Sequence, residues 1–258
     1  MKSIMAFNDV HLITPEFKNT EKARFLYNCA SFLHRAYQIN PETSRAIAEC
    51  LLGRMNNMRL HYHTFLHILA TFDFAEENNV YLQKHEQLAI WFHDAIYDIS
   101  LTTNERQSGE FMIALLKNYI PHEEYMDAYD IILDTAKHTS ILKHNSSDLV
   151  LDLDVSNFAY NREMHLIANA AIQAEYPSLT DAEFAIGRLK FLDEFMDKGF
   201  IFRTPLFKDK FEQQARDNIQ LDLQECERIL NKKGSVRSRE EIYLTLKQLS
   251  NDIQKGVK

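Results

Sequence analysis

Apolar side chains recur along this chain at the three- and four-residue spacing of amphipathic helices, over almost its whole length. From about Thr20 to Gln38, Phe25, Leu26, Cys29, Phe32, Leu33 and Ala36 form one stripe. Asn40-Pro41-Glu42 predicts the start of a second helix, to about Asn56. Asn40 is the cap, Pro41 the rigid first turn, and Glu42 the acid at the positive end of the dipole. Further helices are expected over about His63–Asn78, Lys84–Tyr97, Thr103–Tyr119 and Pro121–His138. Between Ser146 and Tyr160 the run LVLDLDV alternates like a strand, but a solitary strand has no partner for its backbone groups. A helical turn or buried connector is expected there instead.

The second half is punctuated by caps. A helix over about Asn161–Tyr176 is stopped by Pro177, and Thr180 with Glu183 forms a capping box for the next, which ends at Gly199. A long helix is expected over about Pro205–Asn231, and Ser238 with Glu241 predicts a last one. The chain therefore reads as all-α and as a single domain over residues 1–258. Its first part, about 59–160, carries the candidate chemistry, and C-terminal helices fill about 161–258. Only Lys232–Val236 reads as a linker, and no internal repeat is visible.

Composition agrees. Six glycines and five prolines in 258 residues are too few turn residues for a sheet-rich fold. The 29 basic and 37 acidic side chains leave a net charge of −8, which argues against duplex nucleic acid as a partner. The short basic stretch Lys232–Arg239 reads as a solvated linker. Cys29, Cys50 and Cys226 are scattered, with no CxxC pair, so a reducing, cytoplasmic setting is expected. No apolar run approaches the roughly 18 residues of a membrane span. Asn8, Asp9 and His11 interrupt what would otherwise be the core of a signal peptide.

The histidines change the picture. His61, His63 and His67 lie close together, and His93-Asp94 sits inside the apolar run LAIWFHDAIYD. A buried His-Asp pair needs something to neutralise and satisfy it, and a metal ion does so. His63 and His67, four apart, are expected on one face of a helix. Two imidazoles and two carboxylates suit a divalent ion between hard and soft, with manganese, magnesium, nickel, zinc, cobalt and iron as candidates. They also leave coordination positions open for water and substrate.

HxxxH, then HD, then a later Asp in an apolar context resembles the H…HD…D signature of the HD superfamily of metal-dependent phosphohydrolases. The wider set YHTFLHI, AIWFHDAIYD, TNERQS, LDLDV, GRLKFLDEF and ARDNIQLDL is similar to a bacterial branch of predicted HD-type phosphohydrolases. The resemblance spans about Arg59 to Leu223. It implies an all-helical HD-domain bundle with His67, His93, Asp94 and Asp154 on one divalent ion, Asp152 being the alternative to Asp154. It also implies hydrolysis of a small phosphoester, a nucleotide being the expected class. By analogy with cyclic-nucleotide phosphodiesterases, His63 is the expected general acid, a role suited to a pKa near neutrality. Thr64 departs from the Asn of a YHN-type motif.

Asp98, four residues after Asp94, is expected one helical turn on, where it orients the attacking water or merely ends the helix. Asn104 and Glu105 open a helix whose N-terminus suits a phosphate, although Glu105 reads equally as a first-turn acid stabilising the dipole. His138 is a further pocket residue or a second-metal ligand. Arg216 and Asn218 are read as structural partners of core acids. Two rival functions remain open: a di-iron HD-type oxygenase, for which His122, His138 and His144 lie in the right interval, and a non-catalytic nucleotide sensor.

Overall fold

The computed structural model describes residues 15–138 and 146–231, and every structural statement below concerns those. The expected last helix and its Ser238–Glu241 box, the Lys232–Arg239 stretch and His144 lie outside them. The described chain is all-α: α1 (Pro15–Tyr37), α2 (Pro41–Met55), α3 (Phe65–Glu77), α4 (Lys84–Phe92), α5 (Asn104–Leu116), α6 (His122–Thr135), α7 (Ser146–Asp154), α8 (Arg162–Ala174), α9 (Asp181–Asp197) and α10 (Pro205–Asn231). A short 3-10 helix, Ser156–Ala159, links α7 to α8. No strand occurs among the described residues, and LVLDLDV falls within α7 and the residue after it.

Local chemistry sets most boundaries. The Asn40 side chain accepts from the Thr43 N–H at 2.9 Å, with Pro41 in the first turn. Thr180 and Glu183 make the reciprocal capping box of α9, and the chain leaves that helix through Gly199 at φ +76°. Thr64 caps α3, its Oγ1 accepting from the Leu66 N–H. An Asn at this position would cap equally well.

One contiguous apolar core runs from Phe25 in α1 to Cys226 in α10. Phe25 meets Phe65 of α3 at 5.9 Å and Trp91 of α4 at 5.1 Å, both edge-to-face. Each such ring contributes about 1.5–3 kcal/mol by burial. Arg24 ties α1 to Asp73 of α3. α3, α4, α6 and α7 pack together, α9 packs on α10, and the 3-10 helix joins α10 to α7 and α8. No described helix is long and apolar enough to cross a membrane.

Candidate metal centre

The run LAIWFHDAIYD does not continue as one helix, because α4 stops at Phe92. Two side chains of α5 hold the chain that leaves it. Ser108 Oγ lies 3.0 Å from the Ile96 N–H and donates to the Ile96 carbonyl at 3.2 Å. Asn104 accepts from the Asp98 N–H at 3.0 Å and donates to the Asp98 carbonyl at 2.9 Å. The exit from the helix matters for the site. Consecutive residues on a helix point about 100° apart, whereas here His93 Nε2 and Asp94 Oδ2 approach to 3.2 Å.

Around them gather His67 from the first turn of α3 and Asp154 from the end of α7. His67 Nε2 lies 3.2 Å and His93 Nε2 3.3 Å from Asp154 Oδ1. Asp94 Oδ2 is 3.9 Å from His67 Nε2. The ligand atoms of His67, His93 and Asp154 all fall within 4.8 Å of one another. His93 Nδ1 donates to the Ile90 carbonyl at 3.0 Å, which fixes the ring and leaves Nε2 for the cluster. His93 Nε2 and Asp94 Oδ2 are fully buried and make no hydrogen bond, close as they are. Their directions are wrong for bonding each other despite the 3.2 Å approach. Buried polar atoms of this kind are rarely left unsatisfied, so the donor set fits a divalent metal.

The electrostatics are concentrated here. Burial disfavours the His93 cation, yet Asp94 and Asp154 raise its pKa well above the usual imidazole range. Burial opposes ionisation of Asp94 as well, but the neighbouring His93 charge brings its carboxyl down to about 2. Asp154 is held well below the usual carboxylate range for the same reason. His138 joins from the end of α6: its Nδ1 is 3.5 Å from Asp154 Oδ2 and has no hydrogen bond. Its backbone sits at φ +42°, a left-handed conformation that costs a non-glycine residue about 1–3 kcal/mol. Arg203 and Lys198 hold its carbonyl in place.

The cluster opens into a cavity of about 370 Å³, lined by His63, Glu105, Tyr97, Tyr176, Phe191 and Arg188 among others. His63 precedes α3, in contrast to the expectation that it shares a helical face with His67, because Thr64 caps the helix. Instead Glu175, the residue that closes α8, places it. Glu175 Oε2 is 2.6 Å from His63 Nδ1, while its Oε1 accepts the N–H groups of His61, Tyr62 and His63 at 2.8, 2.7 and 2.9 Å. Tyr97 stacks on the His63 ring at 3.8 Å. Burial opposes the His63 cation, but Glu175 and the cluster carboxylates raise its pKa; Glu175 is lowered in turn by the His63 hydrogen bond.

Two expected site residues stand elsewhere. Asp98 is exposed and turned away from the cavity, its Oδ1 accepting from the backbone and hydroxyl of Ser100 at 2.9 and 2.7 Å. It is not one turn beyond Asp94, because no helix joins them. Asn104 is buried as the clamp just described rather than exposed at a phosphate site. Glu105 does line the cavity, with a carboxyl raised first by burial and then by Asp94. Asp152 faces the other way from Asp154. It caps α10 by accepting from the Arg203 and Thr204 N–H groups at 2.7 and 2.8 Å. Asn218 donates to the Phe158 and Tyr160 carbonyls rather than to an acid, and Arg216 pairs with Glu212 at 2.8 Å.

Two residues of the site have no signal in the spacing of the histidines: Glu175, which holds His63 from 112 positions away, and the cavity-lining Arg188, within the GRLKFLDEF segment. No protein-family model, no curated protein and no solved structure matches the chain, so its functional reading rests on these side chains and on the motifs that carry the resemblance.

Proposed function

We propose that the chain is a metal-dependent phosphohydrolase of the HD type, acting on a small phosphoester, with a nucleotide as the expected class. The observation that carries this reading is the pair of buried, unsatisfied ligand atoms, His93 Nε2 and Asp94 Oδ2. They lie beside His67 and Asp154, and His93, Asp94 and Asp154 line the cavity. His67, His93, Asp94 and Asp154 would hold the ion. When bound there, such an ion would supply a lowered pKa for water, from about 15.7 to about 7, and polarisation of a phosphoryl oxygen.

The chain's own groups supply the rest. Glu175 fixes Nδ1 of His63 and leaves Nε2 to give a proton to the departing ester oxygen. Glu105 takes the role expected of Asp98: it faces the cavity and can orient the attacking water and accept its proton. The water oxygen bonds to phosphorus, the ester P–O bond breaks, and the products are an alcohol and a phosphate. Phe184 and Phe191 make part of the cavity wall apolar.

A second reading has its own observation. The unbonded Nδ1 of His138 beside Asp154 would suit a second ion, as in two-metal hydrolysis or in a di-iron oxygenase. Two irons per chain with oxygen-dependent turnover would favour the oxygenase. A panel of phosphomonoesters and phosphodiesters, each assayed with manganese, magnesium, nickel, zinc, cobalt and iron, tests the main reading. We expect turnover that falls below detection in Asp94→Asn and drops by about 10²–10⁴ in His63→Gln. Absence of turnover with every metal would refute hydrolysis and leave a nucleotide-binding role.

A further inference from the structure

Arg188 takes no part in the chemistry above. It projects from α9 into the same cavity, with only 10% of its side chain exposed. A guanidinium carries five N–H donors and keeps its charge even when buried. Among the described residues its hydrogen bond is to Asn169 Oδ1, from Nη2, at 2.6 Å. Asp222 Oδ2 lies 3.9 Å from the same nitrogen. That carboxylate is heavily engaged already: Arg162 is 2.8 Å from Oδ1, while His165 Nε2 and Asn169 Nδ2 approach Oδ2 at 2.7 and 2.6 Å. The buried Arg188 and the partly exposed Arg162 thus share one carboxylate, and one positive charge is left over on the cavity wall.

The other acids nearby do not cancel it. Glu183, on the same helix, is committed to the backbone and hydroxyl of Thr180 at 2.8 Å each. Asp94 and Asp154 answer to the histidines of the metal cluster. The Arg188 ring contacts are apolar faces, Phe158 at 5.8 Å and Phe191 at 5.4 Å, which orient the plane without using its donors. Tyr62 stands between the two charge systems: its ring is 4.9 Å from that of His67, and its hydroxyl interacts electrostatically with Arg188.

We propose that Arg188 forms an anion subsite in the cavity, separate from the metal cluster, which binds a second anionic group of the ligand, a phosphate or a carboxylate. Asn169 and Asp222 hold the guanidinium in place, and Arg162 and His165 hold Asp222. If the hydrolase reading holds, on which this last step rests, the preferred substrate is a compact phosphoester whose leaving group is itself anionic.

Binding tests the subsite without any turnover. Metal-stripped protein is titrated calorimetrically with inorganic phosphate and, separately, with malonate, in the wild type and in Arg188→Gln, Arg188→Lys and Asp98→Asn. Saturable binding of at least one probe is expected, weakened about tenfold or more in Arg188→Gln, the scale of one lost charge-assisted contact. Arg188→Lys should be intermediate, and Asp98→Asn, at an exposed turn outside the cavity, should bind as well as the wild type. Preference for phosphate or for malonate identifies the anion. Because Arg188 is buried, a wild-type melting temperature that rises with phosphate is a second readout that needs no variant. No saturable binding and no thermal shift in the wild type would overturn the subsite, as would undiminished binding in a folded Arg188→Gln. Intact anion binding without hydrolysis of any phosphoester would remove the hydrolase reading and leave the subsite standing.

Discussion

Replacing Glu175 by alanine removes one acceptor from four donors at once: the N–H groups of His61, Tyr62 and His63, and the His63 ring. The carboxylate is fully buried, so solvent cannot replace it. Each charge-assisted bond contributes about 1.5–3 kcal/mol, but bonds to one group do not add. Loss of one partner of a buried charged pair costs about 3–5 kcal/mol. At roughly 2–4 °C per kcal/mol for a domain of this size, Glu175→Ala should melt roughly 6–20 °C below the wild type. Glu175→Gln separates the two oxygens. Its amide carbonyl still accepts the backbone donors, while its NH₂ cannot accept from His63, so about 1.5–3 kcal/mol is expected from the lost charged contact.

The pH dependence has a definite sign. His63 is raised above its ordinary 6.5, so its share of the stability is full below that pH and fades as pH rises through the folded value. Glu175 is lowered below its ordinary 4.5, so its share is present above that pH and is lost as pH falls. The gap between wild type and Glu175→Ala should therefore be widest between about pH 4.5 and 6.5. Thermal melts of metal-free protein across pH 4–9, followed by circular dichroism, are the assay. A Glu175→Ala protein melting within 2 °C of wild type throughout, or Glu175→Gln as unstable as Glu175→Ala, would refute this account of the dyad.

Asp98→Asn should leave metal content unchanged and alter turnover less than about twofold, because Asp98 is an exposed turn residue away from the cavity; a large loss of rate would return it to the mechanism. A Cβ at Gly187 would meet nothing within 4 Å, and Gly187 lines the cavity. Gly187→Leu should therefore stabilise α9 by up to about 1 kcal/mol while lowering kcat/KM on any substrate. Unchanged kinetics would show that substrate enters elsewhere.

The helices were legible where the chain announces them locally, as at Asn40-Pro41, Thr64 and the Thr180–Glu183 box. The end of α4 was not, because LAIWFHDAIYD is apolar throughout and periodicity runs on past Phe92. Asn104 and Ser108, bound from the next helix, break it, and a tertiary bond leaves no trace in local pattern. That misreading is what carried Asp98 towards the site. The candidate metal residues were visible as ionisable groups embedded in apolar sequence, and the choice between Asp152 and Asp154 follows from which face of α7 meets the cluster. Glu175 and Arg188 were hidden for opposite reasons. Glu175 ends an ordinary amphipathic helix far from His63 in the chain, and Arg188 resembles any helical arginine until its neighbours are known.

The central claim is that the chain binds a divalent ion through His67, His93, Asp94 and Asp154. Elemental analysis of protein purified and then equilibrated with manganese, nickel or zinc tests it directly, beside Asp94→Ala and Asp154→Asn. About one ion per wild-type chain, lost in both variants while each keeps its helical circular dichroism, is the expected result. A wild type that binds none of these metals, or variants that retain the ion at full stoichiometry, would contradict it.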